Sequence, residues 1–147
     1  MAPGGTTMIE TLKELYTTYQ EDAVKVKKAA PRFAGILGLG DDPRKHPVHE
    51  TFYNNVGKWI EGFVDSAPDQ AQAMEAASFI LEAPGQNFQT EGYWFFYACI
   101  GYIQSLIPFL SKADCKILTD RLNVLYPKIE RMPLQQETFK KLSKAAK

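Results

Sequence analysis

Eighteen consecutive residues, Tyr93 to Leu110, carry no charged side chain, and few folds can accommodate such a stretch. It is long enough for a transmembrane helix. Against that reading, Tyr93, Tyr97, Tyr102, Gln104 and Ser105 make it polar for a lone span, and Pro108 shortens any helix it forms. A helix apolar on all sides belongs instead at the centre of a bundle, where neighbouring helices cover it. The segment therefore predicts an all-α chain built around a central aromatic helix at 93–110, with no transmembrane segment.

The covering helices are marked by capping signals, a serine or threonine followed three residues later by an acid where apolar periodicity begins. Thr7 with Glu10 predicts a first helix whose Met8, Leu12, Leu15, Tyr16, Tyr19, Ala23 and Val26 share one face and which stops near Ala30, ahead of Pro31. Residues 31–46 read as a loop, punctuated by Gly35, Gly38 and Gly40. A second helix starts at Asp42 before Pro43 or at His46 before Pro47. It carries the stripe Val48, Phe52, Val56, Trp59, Ile60 and Phe63, and ends near Asp65.

Ser66 with Asp69 predicts a third helix, its face formed by Met74, Ala77, Ser78 and Leu81, closed by Pro84 and Gly85. Ser111 with Asp114 opens a fifth, carrying Ala113, Ile117, Leu118, Leu122 and Leu125 and stopped by Pro127. A last helix starts at Pro133 and carries lysines 140, 141, 144 and 147. No repeat or linker divides residues 1–147, so the expectation is a single-domain bundle of five to six helices.

Charge excludes some functions. Seventeen acids balance seventeen bases, which leaves no net pull toward nucleic acid or anionic lipid. The distribution is uneven, because acids dominate residues 48–91 and bases dominate 128–147. Two cysteines, Cys99 and Cys115, follow no metal or redox spacing, and residues 1–7 lack the basic start and apolar run of a secretory signal. Both features point to the cytoplasm. Cys115 falls in the first turn of its helix, where the helix dipole favours a thiolate.

Two clusters are candidates for chemistry. Asp41, Asp42, Arg44, His46, His49 and Glu50 gather both histidines of the chain with three carboxylates, a donor set suited to a metal or polar ligand. Two histidines four apart with a glutamate between them, the usual metallohydrolase spacing, are absent, and the same residues also suit helix capping. Trp59, Phe88, Tyr93, Trp94 and Tyr97 form an aromatic set fit to line a pocket or an interface. Successive helical residues turn by about 100°, so the run Tyr93–Tyr97 must face several neighbours or a second subunit. The nearby glycines lack the lysine and the strand that a phosphate loop requires, and no serine or cysteine stands beside a recognisable base. The leading expectation is a non-enzymatic module that binds a protein or itself. The alternative is a bundle that holds a small ligand or metal through the 41–50 loop and the aromatic helix.

Overall fold

The computed structural model describes residues 4–29, 47–85, 93–126 and 133–147. Six α-helices lie among them: α1 (Gly4–Ala29), α2 (Pro47–Asp65), α3 (Gln70–Glu82), α4 (Tyr93–Cys99), α5 (Lys112–Leu125) and α6 (Pro133–Ala145). No described residue is in a β-strand. The chain is an all-α bundle, and no helix among the described residues is long and apolar enough to cross a membrane.

The segment predicted as one central helix is central, but it is not one α-helix. After Cys99 the backbone tightens into a ten-residue 3₁₀ helix, Ile100–Phe109. The buried side chains follow the change. Ile100, Ile103 and Leu106 are buried at steps of three, and three residues per turn is the 3₁₀ repeat, so all three stay on one side where an α-helix would rotate them apart. Together α4 and the 3₁₀ helix pack against α2, α3 and α6, and Phe96 stacks on Tyr16 of α1 at 5.3 Å. Polar residues of α6 secure this arm. Gln135 Nε2 donates to the Tyr97 carbonyl at 3.0 Å, and Gln104 Nε2 donates to Thr138 Oγ1 at 2.9 Å.

Helix boundaries largely follow the sequence signals, with three corrections. α1 begins at Gly4, one turn before the Thr7–Glu10 box, so Thr7 lies within the helix. The box between Ser66 and Asp69 is replaced by one between Asp69 and Gln72: Gln72 N donates to Asp69 Oδ1 at 2.8 Å, and Asp69 N donates to Gln72 Oε1 at 3.0 Å. Ser66 serves the preceding helix instead, its hydroxyl donating to the Phe63 carbonyl at 2.6 Å. Between the two stands Ala67 at φ 53°, a left-handed residue that turns the chain ahead of Pro68. The buried face of α3 is also shifted, to Ala73, Ala76, Ala77, Ile80 and Leu81. At Ser111 the box with Asp114 forms as expected.

The apolar residues of α5 are not all covered. Leu118 and Leu122 are buried, yet Ile117 is 55% exposed and Ala113 is exposed as well. Apolar character alone does not place them in the core, because α5 lies at the periphery and has only one face, that of Cys115, Leu118 and Leu122, to cover. A two-point ion pair fastens it to α3, with Arg121 Nη2 donating to Glu82 Oε1 at 2.8 Å and Arg121 Nε donating to Oε2.

Candidate functional site

The two helices that meet most extensively, α1 and α2, bring an aromatic network to the first turn of α2. His49 is 2% exposed there because the apolar stripe of α2 begins one turn before Phe52 and runs through it. Its Nδ1 lies 2.7 Å from Tyr19 Oη. With the imidazole proton on Nε2, the phenol donates to Nδ1. Tyr19 stacks on Phe52 at 4.0 Å and 7°, and His49 stacks on Phe95 at 5.5 Å. Burial pushes the Tyr19 phenol far above its ordinary value, so it remains a hydroxyl at neutral pH. Glu50, the next residue, is exposed, since adjacent helical positions point about 100° apart. Asp41, Asp42, Arg44 and His46 lie outside the described residues, as does Phe88. Among the described residues no three His, Cys, Asp or Glu side chains gather as a metal-ligand set.

Trp59 and Tyr97 have structural partners. The Trp59 indole N–H donates to the Met8 carbonyl at 2.7 Å, its ring stacks on Phe63 at 4.6 Å, and the residue is part of the core. Tyr97 packs edge-on against Tyr126 at 5.2 Å. The side chains of Tyr93 and Trp94 are outside what is described. The thiols are both free and buried. Burial pushes Cys99 up to about 12, and burial first, then the neighbouring Asp114 carboxylate, raises Cys115 as well. The dipole effect expected at Cys115 is thus outweighed by loss of solvent.

Two outward features were not foreseen. One is the solvent face of α5, where Ile117 (55% exposed) and Val124 (67% exposed) are the large apolar side chains left uncovered among the described residues. Seven residues apart, they lie on the same side of the helix, with Asp120 and Arg121 between them. The other is an elongated groove of about 210 Å³ between α1 and α2, floored by Leu15, Tyr19, Val48 and Phe52 and edged by Glu14, Thr18, Asp22 and Asn55. Its only sequence trace is the step of four from Glu14 to Thr18 to Asp22, beside the apolar stripe of α1.

Comparison with known proteins returns no matching family model, no matching curated protein and no matching solved structure. Function therefore rests on the chemistry of these surfaces.

Proposed function

We propose that this chain is a non-catalytic, cytoplasmic helical module that works by self-association through the outer face of α5. The observation that carries this reading is the exposed pair Ile117 and Val124 on the solvent side of the helix. The face is self-complementary in an antiparallel pairing centred between Asp120 and Arg121. Ile117 then meets Val124 of the second copy, twice by the two-fold symmetry, while Asp120 and Arg121 keep their own partners, Lys116 and Glu82. Free, buried thiols are consistent with a reducing compartment.

The size of the patch sets the strength. Covering the exposed half of four such side chains contributes about 1 kcal/mol each. That offsets only the low end of the roughly 4–15 kcal/mol cost of association, so the dimer is weak and reversible, with a Kd no tighter than about 1 mM. Sedimentation equilibrium from micromolar to millimolar protein tests this. The expected result is a concentration-dependent dimer that Ile117→Lys with Val124→Lys converts to a monomer of unchanged helical content. A wild-type monomer throughout, or a double variant that dimerises equally well, removes the proposal.

A further inference from the structure

The α1–α2 groove has a shape and a charge that the self-association reading does not use. Thr11, Leu15, Thr18 and Asp22 recur at steps of four, three and four along α1, and Val48, Thr51, Phe52 and Asn55 line the facing side over two turns of α2. The hollow therefore extends about 16 Å along α1, between two helices, with an apolar floor and hydroxyl and amide edges. Among the described residues it carries two carboxylates, Glu14 and Asp22, and no lysine or arginine. Neither carboxylate forms an ion pair among the described residues. Eight residues of α-helix separate them, about 12 Å along the axis. The hollow beside Tyr102 differs in kind, since Lys58 and Glu61 both line it and balance one another.

We propose that this groove binds a linear alkyl polyamine, a chain of methylenes carrying ammonium groups near its two ends. The methylenes lie along Leu15, Val48 and Phe52, where water is displaced from apolar surface. The terminal ammonium groups reach Glu14 and Asp22 through charge-assisted hydrogen bonds, and Thr18 and Asn55 accept from the remaining N–H donors. A short diamine cannot span both carboxylates, whereas a triamine can. A bare divalent cation meets the charge but gains nothing from the floor.

Isothermal titration of the full chain with spermidine at low salt tests the assignment. A saturable one-to-one isotherm is expected, with putrescine weaker, and with Glu14→Gln and Asp22→Asn each lowering affinity roughly five- to tenfold. Both substitutions keep side-chain shape at positions outside the core, so the fold is retained. No saturable heat, undiminished binding by the double variant, or displacement of spermidine by equimolar magnesium would overturn the proposal.

Discussion

Gly57 sits in the middle of α2, where alanine is the better helix former by about 1 kcal/mol, so Gly57→Ala is expected on propensity alone to stabilise. The tertiary structure reverses the sign. A Cβ at this position meets Tyr102 Oη at 2.7 Å, Cζ at 3.1 Å and Cε1 at 3.3 Å, all shorter than ordinary van der Waals contact. The ring cannot retreat at no cost, because Tyr102 Oη donates to the Tyr53 carbonyl at 3.0 Å and the two rings lie 5.0 Å apart. Overpacking costs about 1–3 kcal/mol and the strained hydrogen bond about 1 kcal/mol, which exceeds the gain in propensity. The net expectation is a loss of about 1–3 kcal/mol, or a fall in Tm of roughly 2–12 °C for a chain of this size. Urea and thermal unfolding followed by far-UV circular dichroism measure it. In a Tyr102→Leu background the obstruction is gone, and Gly57→Ala should then stabilise. If it stabilises the wild type equally, the close approach of α2 to the 3₁₀ helix is wrong.

Two further perturbations probe the same reasoning. Ala67→Gly removes a Cβ from a left-handed residue at a cost in unfolded-chain entropy, leaving a net gain of about 0.5–1 kcal/mol, and Ala67→Val should lose at least as much; a loss of stability in the glycine variant would contradict the turn geometry. Cys99 is raised by burial to about 12, so the stability owed to its un-ionised thiol is complete below the unfolded value near 8.5 and is lost as pH climbs from there toward 12. Denaturant titrations from pH 8 to 10 should show the wild type losing up to about 2 kcal/mol more than Cys99→Ala across that interval, and parallel curves would refute the assignment.

Most element positions were legible from local chemistry. Prolines, glycines and capping residues act on backbone groups within four positions of themselves, which is why Pro47, Ser111 with Asp114, Pro84 with Gly85 and Pro133 mark helix ends in both sequence and structure. The apolar stripe of α2 is equally local, since a helix repeating every 3.6 residues fixes which side chains share a face. Competition between neighbouring signals was less legible. Ser66 and Asp69 are both capable caps, and the choice fell to the left-handed turn at Ala67 between them.

The candidate site was legible only in part. Sequence singled out His49 and Tyr97 without the partners that occupy them, Tyr19 thirty residues upstream and Gln135 on the last helix. Ile117 reads in sequence only as one of the apolar residues of its helix, since burial depends on whether a second helix arrives to cover it. The sequence by itself determined that this chain forms amphipathic helices around an uncharged centre, because periodicity and capping are properties of neighbouring residues. Only the tertiary structure decided the switch to a 3₁₀ helix at Ile100, the uncovered face of α5 and the groove between α1 and α2. Each of these follows from how separate helices share limited space, and no residue records that distance along its own chain.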